Sequence, residues 1–373
     1  MRPLLRCSPD LVWRFKVSFF HSGRINQSQR LPNRNLPAFC FDIDGVLKRG
    51  KSVLSEAKEA LSILNGKNPQ SQRFPIILCT NGGGVPEEER CQRLSDELGI
   101  PITKKQLVQS HTIFTQFLDE YRTKPILVVG GASQRCRKIA EEYGFQHVYI
   151  PQDILKWNPT VWPFHKLTEK ENQMSKSEDF SKISFSAIFV MHDPLDWGLS
   201  VQLAIDVLTS KGGVITNPAD KISLKNPHEQ PKIYFSNPDI LWGNEFLRPR
   251  FGQGAFQTAL RANYEQVTGQ PLKSWTGGKP SRVTYEFAEG LLLQVLKESF
   301  GNKELGNVYM IGDNPASDIQ GANNFGWRSV LVQTGVFKGE TIEDSQYPPS
   351  TVQPNVLDAV KWALMEEGFS SVV

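Results

Sequence analysis

The chain has 373 residues, of which 39% are hydrophobic and 22% charged, and its formal net charge is +3. This length exceeds one average domain, and the mean hydropathy of −0.35 is typical of soluble globular enzymes. No stretch has the roughly 18–20 apolar residues that a membrane-spanning helix needs. We therefore predict a two-part folded body that follows a basic tail, and no transmembrane segment.

The tail comprises residues 1–37. It holds seven Arg and Lys side chains and one acid, Asp10, so its charge is 7 − 1 = +6 and that of the remainder is 3 − 6 = −3. An Arg-rich, acid-poor segment with scattered apolar residues is typical of a mitochondrial transit peptide, with a disordered basic tail as the alternative. We predict a mitochondrial location, in the matrix. Because the basic charge is confined to this end, we predict no nucleic-acid binding.

The five cysteines and six histidines do not indicate a disulfide framework or a metal site. The cysteines are odd in number and irregularly spaced, with no Cys-x-x-Cys pair, which argues against a disulfide framework and a zinc site. The histidines lack the spacing of a metalloprotease. We expect reduced, mostly buried thiols.

Short apolar runs alternate with helical patterns along the body, which predicts an α/β fold with a doubly wound parallel sheet. Residues 151–182 are interpreted as a long insertion or flexible loop, and 340–353 as a surface connection. Strands are predicted at 37–43, 74–80, 126–130, 183–191, 232–236, 308–312 and 329–333, and helices at 85–98, 283–295 and 356–365.

The ends of two early strands carry polar groups. Ligands of such sheets bind beyond the carboxyl ends of the strands, so residues that follow the apolar runs matter most. Asp42 and Asp44 follow the first run, although an isolated Asp-x-Asp is usually surface. Thr80 precedes Asn81 and three glycines, 82–84, whose backbone can approach an anion; a turn that needs positive φ is the alternative.

Two later segments complete the set. Lys279 stands just before Pro280, which is predicted to open a helix, and a lysine at a helix N-terminus is unfavourable unless an anion lies there. A surface lysine in a turn is the alternative. Asp313 follows another apolar run, and Asp318 enters the next helix, where an acid can also serve as a plain cap.

In this order, the four segments resemble the four motifs of the haloacid dehalogenase superfamily of aspartyl-phosphate hydrolases, from about residue 38 to residue 333. The resemblance implies that Asp42 is the nucleophile and Asp44 the general acid/base. Thr80 would donate a hydrogen bond to the phosphate, and Lys279 would neutralise its charge. Asn81 and Gly82 are expected to bind the substrate.

The resemblance also implies a Mg²⁺ site. Its ligands would be Asp42, Asp44 through its carbonyl, and Asp313, with Asp318 a ligand through water or a partner of Lys279. A phosphate monoester repels an attacking carboxylate, so a divalent cation and a lysine must offset the charge. Oxygen ligands suit Mg²⁺. We expect the substrate to be a small phosphorylated metabolite.

About 200 residues separate the second and third motifs, which implies an inserted α/β cap domain. The resemblance places a type II cap, as in p-nitrophenylphosphatase-like members, at 121–235, between core parts 38–120 and 236–373. His192 and Asp193 would face the active site from the cap and bind the substrate, although a packed cap hairpin explains them equally well. A homodimer through the cap is a further expectation.

A narrower resemblance, to the mitochondrial cat-eye-syndrome critical-region family, rests on residues 79–86, 190–198, 235–239 and 250–256. Together with the mitochondrial setting, it suggests a link to glycerophospholipid metabolism. Three alternatives remain: a non-catalytic binding or scaffold protein of the same fold, a phosphomutase or dehalogenase, and a dehydrogenase suggested by residues 128–132. Dehalogenation needs no metal, so the complete acid set favours phosphoryl transfer. Residues 128–132 lack the full dinucleotide-binding fingerprint.

Overall fold

A computed structural model describes residues 35–132, 134–219, 230–242, 246, 248–301 and 303–372. The predicted transit segment, 1–37, lies outside these residues except at its end. There Leu36 and Pro37 already belong to the first strand, so the folded body begins earlier than predicted. Among the helices described, none is long and apolar enough to cross a membrane.

Helices and parallel strands alternate along the body, which confirms the predicted α/β class. The strands are β1 Leu36–Phe41, β2 Lys48–Arg49, β3 Ser52–Val53, β4 Ile76–Cys79, β5 Leu107–Val108, β6 Ile126–Gly131, β7 Val148–Tyr149, β8 Ala187–Pro194, β9 Lys232–Phe235, β10 Leu241–Trp242, β11 Arg250–Phe251, β12 Trp275–Thr276, β13 Leu305–Gly312, β14 Arg328–Val332 and β15 Thr351–Gln353. The helices are α1 Ser55–Leu64, α2 Glu87–Leu98, α3 Leu118–Tyr121, α4 Arg135–Tyr143, α5 Pro151–Trp157, α6 Glu169–Met174, α7 Trp197–Leu208, α8 Gln253–Thr268, α9 Arg282–Phe300, α10 Gln320–Phe325 and α11 Val356–Glu366.

The larger sheet forms the core domain. Its six strands lie in the order β15-β14-β13-β1-β4-β5, and every neighbouring pair is parallel. The central strand β1 is buried along its whole length, as expected for a strand covered on both faces. Helices α1, α2 and α11 pack on one face, and α9 and α10 pack on the other. The core is therefore doubly wound, as predicted.

A second parallel sheet, in the order β12-β9-β8-β6-β7, forms the inserted cap. The predicted cap limits of 121–235 end too early, because β12 pairs with β9 well beyond them. Helix α8 also packs its Phe256 and Leu260 into the apolar cluster of this sheet. Residues 236–276, predicted to be core, therefore lie largely with the cap, and the chain returns to the core next to Lys279.

Two predicted irregular segments contain regular structure. Residues 151–182 form α5 and α6, and α6 begins with a capping box in which Thr168 and Glu171 bond each other's backbone. Residues 340–353 end in β15, an edge strand of the core sheet. Both segments are polar and contain proline. Their helices and strand are short, and each packs only a few apolar residues on its domain. The sequence pattern therefore did not indicate them.

One buried ion pair stabilises the cap. Arg137 of α4 donates to both carboxylate oxygens of Asp153 at 3.0 and 3.1 Å, and both side chains are almost fully buried. Asp153 also accepts hydrogen bonds from the backbone of Ile150 and Lys176. Burial raises the pKa of Asp153, and Arg137 opposes this shift. The carboxylate thus depends on Arg137 to stay charged.

We expect Arg137→Met to lower the free energy of unfolding by about 3–5 kcal/mol at pH 8, because it leaves the Asp153 carboxylate buried without its partner. Denaturant unfolding measures this loss. The matched control is Arg282→Met, whose ion pair with Glu286 is exposed, and it should cost less than about 1 kcal/mol. Equal losses in the two variants would contradict the assignment.

Candidate active site

Three adjacent core strands carry the polar residues of the site at their carboxyl ends. Asp42 follows β1, Thr80 follows β4, and Asp313 follows β13. Since β13, β1 and β4 are neighbours in the sheet, residues far apart in the sequence meet at one edge. The placement of these three side chains agrees with the sequence prediction.

Lys279 lies in the site on the segment by which the chain returns from the cap. Its Nζ donates to Asp42 Oδ1 at 2.7 Å and to Asp318 Oδ1 at 2.6 Å, and the lysine is 1% exposed. Asp318 follows β13 in a π-helical turn, and its Oδ2 accepts from Asn314 N at 3.1 Å. The expected pairing of Asp318 with Lys279 is therefore present.

Burial and charge act in opposite directions on these groups. Burial raises the pKa of Asp42 well above its usual range, while Lys279 lowers it and Asp318 raises it further. Burial alone would lower the pKa of Lys279, but Asp318 and Asp42 outweigh it, so its pKa lies well above the ordinary value. The lysine therefore remains an ammonium group, and its charge opposes the rise in the pKa of Asp42 that burial causes.

Asp313 completes an acidic cluster. Its Oδ2 accepts from Val336 N at 2.6 Å, in the loop after β14, and a Cβ on Gly45 would lie 2.4 Å from the same oxygen. Gly45 also has a φ of +87°, so a side chain there is excluded on two grounds. Burial and the neighbouring Asp318 raise the pKa of Asp313 to about 7.

The acid cluster fits a hard divalent cation. Carboxylate oxygens of Asp42, Asp313 and Asp318 all lie within 4.8 Å of one another, and these are ligands that Mg²⁺ prefers. Three buried carboxylates face one buried ammonium group, an excess of 3 − 1 = 2 negative charges when all are ionised. Buried charge without compensation is costly, so the arrangement favours a bound cation.

The three glycines of the segment after Thr80, residues 82–84, differ in their surroundings. A Cβ at Gly82 would meet only Thr80 Oγ1 and, at 3.8 Å, Asp44 Oδ2, so this position is open towards the site. A Cβ at Gly83 would clash with Ser110, and one at Gly84 would lie 2.4 Å from the ring of His192. Only Gly82 therefore fits the predicted close approach to an anion. Its N–H donates to Thr80 Oγ1 at 3.0 Å.

Asn81 uses its side chain for positioning. Its Oδ1 accepts from Lys279 N at 2.7 Å, and its Nδ2 donates to Lys279 O at 2.9 Å and to Asp239 Oδ2 at 3.0 Å. The side chain is thus engaged with protein groups, and the carbonyl of Asn81 accepts from Asn237 Nδ2 at 3.2 Å, which leaves its backbone N–H for the predicted substrate contact. It holds the backbone of Lys279 against the core.

Asp239 is a site residue that the sequence reasoning missed. Burial raises its pKa to about 6, against the lowering effects of the Asn81 hydrogen bond and Lys279. It stands four residues after β9, so the rule applied to the other strand ends could have found it. In the sequence, residues 235–239 contribute to the narrower family resemblance, which gives no role to Asp239.

His192 and Asp193 lie at the end of cap strand β8, against the glycine segment. His192 Nδ1 and Asp193 Oδ2 are 3.6 Å apart. Burial lowers the pKa of His192 and raises that of Asp193. Within the described residues, His192 Nδ1 and Asp193 Oδ1 are buried without a hydrogen-bond partner. Both atoms can contact a bound substrate, as predicted, while a packed cap hairpin remains the alternative.

A buried polar network links the core to the cap beside this segment. His111 Nδ1 contacts the Tyr143 hydroxyl of cap helix α4 at 2.7 Å, and that hydroxyl also bonds Glu87 of core helix α2. Thr112 Oγ1 donates to the same Glu87 oxygen at 2.8 Å. Burial lowers the pKa of His111 to about 4, so the ring is neutral at physiological pH.

Comparisons with known proteins point to one family. The family described as haloacid dehalogenase-like hydrolase matches residues 39–146, and the one described as HAD-hydrolase-like matches 276–359. A mitochondrial hydrolase of Saccharomyces cerevisiae is 38% identical over 345 residues, covering 87% of this chain and 94% of that protein. A Schizosaccharomyces pombe fusion of cardiolipin synthase with a mitochondrial hydrolase is 39% identical over 87% of this chain, which spans 53% of the fusion.

Solved structures share the two-domain architecture. A 4-nitrophenylphosphatase of Thermotoga maritima has a TM-score of 0.55 at 20% identity, covering 87% of this chain and 96% of its own. A p-nitrophenyl phosphatase of Archaeoglobus fulgidus has a TM-score of 0.57 at 18% identity, covering 88% and 99%. At these identities the likeness shows the fold, and it agrees with the predicted core and type II cap.

Lys279→Met should lower the free energy of unfolding by about 3–5 kcal/mol at pH 8, because Asp42 and Asp318 lose their buried counter-charge. The loss should be smaller at pH 5. Asp42 and Asp313 have raised pKa values in the folded state, so protonation favours folding at low pH and this gain is lost between about pH 4 and about pH 7.

Denaturant unfolding at the two pH values measures the effect. Lys105→Met, which breaks the exposed pair of Lys105 with Glu298, is the matched control and should cost less than about 1 kcal/mol at both. A loss in Lys279→Met that does not change with pH would contradict the role of Lys279 as a counter-charge.

Proposed function

Because the chain belongs to the haloacid dehalogenase-like hydrolases, we propose that it is a Mg²⁺-dependent phosphohydrolase that cleaves a small phosphate monoester through an aspartyl-phosphate. Membership confirms the family and the hydrolase class predicted from the four motifs. The observation that carries the finer proposal is the buried Asp42–Lys279–Asp318 cluster at the strand ends, with Asp313 beside it.

In the proposed first step, Asp42 attacks the phosphorus atom. Lys279 bonds Asp42 Oδ1, and among the described residues no hydrogen bond reaches Oδ2, which leaves this oxygen for attack. A bond forms between Oδ2 and phosphorus while the bond to the leaving oxygen breaks. The Thr80 hydroxyl and the backbone N–H of Asn81 hold the phosphoryl oxygens, Gly82 leaves room for them, and the Lys279 ammonium group offsets their charge.

Asp44 is proposed as the proton carrier. It is exposed at the mouth of the site, and its Oδ2 lies on the open side of Gly82. In the first step it protonates the leaving alkoxide. In the second it takes a proton from the water that attacks phosphorus, and the bond between phosphorus and Asp42 breaks to release phosphate.

Asp42, Asp313 and Asp318, with the backbone carbonyl of Asp44, are proposed to hold the Mg²⁺. The two excess negative charges of the acid cluster support this assignment. When bound, the cation would offset the negative charge of the phosphoryl group as the carboxylate approaches. The residues of this chain supply the attacking oxygen and the protons.

The names of the relatives support a cellular setting. Two relatives, from Saccharomyces cerevisiae and Schizosaccharomyces pombe, are called mitochondrial hydrolases, and the second is fused to a cardiolipin synthase. We therefore propose a mitochondrial location, in the matrix, and a substrate from glycerophospholipid metabolism, such as a glycerol phosphate. The basic composition of residues 1–37 agrees with this location.

The direct test is phosphate release from a panel of phosphorylated metabolites and p-nitrophenyl phosphate, with and without Mg²⁺. We expect Asp42→Asn to lower turnover at least about ten-thousandfold, because the amide is a poor nucleophile. Its thermal unfolding should show that the fold is kept. The control is Asp119→Asn, an exposed acid of α3, which should keep wild-type turnover.

Wild-type turnover in Asp42→Asn would overturn the nucleophile. Phosphate release that does not depend on Mg²⁺ would overturn the metal assignment. If the wild-type protein releases phosphate from none of the esters, a binding protein that retains the fold would be favoured instead.

The cap residue Asp193 is proposed to select the leaving group. Its unpartnered oxygen can accept a hydrogen bond from a hydroxyl of the substrate. Asp193→Ala should therefore lower kcat/KM for a glycerol phosphate about tenfold or more, and leave p-nitrophenyl phosphate unaffected because its leaving group has no such donor.

A second cap acid provides the control. Asp206→Ala, in α7, should leave the ratio of the two kcat/KM values unchanged. An unchanged ratio in Asp193→Ala as well would show that Asp193 is structural.

A further inference from the structure

A buried polar segment supports the loop between β4 and α2, residues 80–86, which we call the Thr80 loop. The supporting segment, residues 109–112, follows β5 and leads from the core towards the cap. Its side chains are all buried. The backbone N–H of Ser110 donates to Gly82 O at 3.0 Å. The middle of the Thr80 loop is therefore held by the chain that enters the cap.

The same segment holds the far end of the loop. Gln109 Nε2 donates to Val85 O at 2.9 Å. Thr112 Oγ1 donates at 2.8 Å to Oε1 of Glu87, the first residue of α2. Thr112 Oγ1 also accepts from Gln109 N at 3.0 Å, which joins these two bonds into one network. The loop and the start of α2 are thus fixed together.

Glu87 is a buried carboxylate whose donors are hydroxyl groups. Its side chain is 9% exposed, and among the described residues no lysine or arginine forms an ion pair with it. Its Oε1 accepts from the hydroxyls of Thr112 and Tyr143. A buried carboxylate that loses a donor bears the desolvation cost of the missing bond. The position of Glu87 therefore depends on both hydroxyl groups.

The cap supplies Tyr143. This residue ends α4, a helix whose apolar side packs on β6 of the cap sheet. The Tyr143 hydroxyl contacts Glu87 Oε1 and also His111 Nδ1, the latter at 2.7 Å. His111 is completely buried, so it holds the hydroxyl from the core side. The cap must be docked on the core for Glu87 to keep this donor.

We propose that Tyr143 is a positioning residue of the phosphate site, and that docking of the cap sets the affinity of this site for a phosphoryl group through Glu87. This inference rests on the proposed phosphohydrolase function. The Thr80 loop carries the Thr80 hydroxyl and the Asn81 N–H that would hold the phosphoryl oxygens, and Glu87 directly follows the loop. Three bonds of the network end on the loop or on Glu87, which favours a role in loop geometry over one in stability alone.

Steady-state kinetics of Tyr143→Phe test the proposal. We expect the KM for p-nitrophenyl phosphate and the inhibition constant of inorganic phosphate to rise together, at least about fivefold, because a bond to a buried carboxylate is lost. The value of kcat should change less than about twofold, since the loss acts equally on the bound ester and its transition state. Glu87→Ala should show the same split. The double variant should show no further rise, because both changes break the same bond.

Tyr309→Phe is the matched control. The Tyr309 hydroxyl also donates to a glutamate, Glu367 Oε1 at 2.6 Å, just after the end of α11 and outside the network. The variant removes the same kind of bond, so it should keep the wild-type KM and inhibition constant while it loses comparable stability in thermal unfolding. Equal rises in the two tyrosine variants would indicate general destabilisation and overturn the proposal. Wild-type constants in Tyr143→Phe would also overturn it.

Hydrogen exchange separates this inference from the phosphatase proposal, because it needs no turnover. Without ligand, Tyr143→Phe should speed amide exchange in residues 82–90 at least about threefold and leave α9 unchanged, whereas Tyr309→Phe should leave both unchanged. If the wild-type protein releases phosphate from no ester, the phosphatase proposal fails, and exchange still decides whether Tyr143 positions the loop. Unchanged exchange in residues 82–90 would overturn that role.

Discussion

The contact of Lys279 with Asp42 and Asp318 is the interaction on which the site depends. Lys279 follows the last strand of the cap sheet, whereas Asp42 and Asp318 lie at the ends of central core strands. The ammonium group therefore links the segment that returns from the cap to the edge of the core sheet where Asp42 and Asp318 lie. Asn81 strengthens this junction because it bonds both backbone groups of Lys279.

The same contact leaves a charge imbalance that explains the rest of the site. A single lysine cannot compensate three buried carboxylates, and the raised pKa of Asp313, about 7, expresses the remaining repulsion and burial cost. A protein core would normally avoid such a cluster. Its presence at the edge where ligands of parallel sheets bind therefore supports the proposed cation site rather than a role in stability.

The strand ends of the core could be predicted from the sequence because they combine two local signals. A buried apolar run such as β1 identifies the strand, and the polar residue that follows it identifies the edge. The cap boundary lacked such signals. Strand β12 has two residues, and its pairing with β9 depends on contacts across about 40 residues that no local pattern records.

The hydrogen-bond partners of side chains also could not be predicted from the sequence. The family resemblance implies that Asn81 binds the substrate, whereas in the structure its side-chain amide bonds Lys279, 198 residues away in the chain. Helix α9 shows the same limit on a smaller scale. Phe287 and Leu291, whose four-residue spacing indicates the helix, are only partly buried, whereas Ala288 and Leu292 lie in the core. The spacing of apolar residues predicts the helix, whereas the face that it buries depends on the sheet that it covers.

The glycine segment shows how one short loop serves both domains. Gly82 faces the phosphate site, whereas the missing side chain of Gly84 makes room for the ring of His192 in the cap. Any movement of the cap that displaces His192 therefore acts on the loop that would hold the phosphoryl oxygens. The buried bond between Tyr143 and Glu87 lies beside the same loop and resists such movement. The position of the cap and the shape of the loop after Thr80 are thus linked through the direct packing of Gly84 against His192.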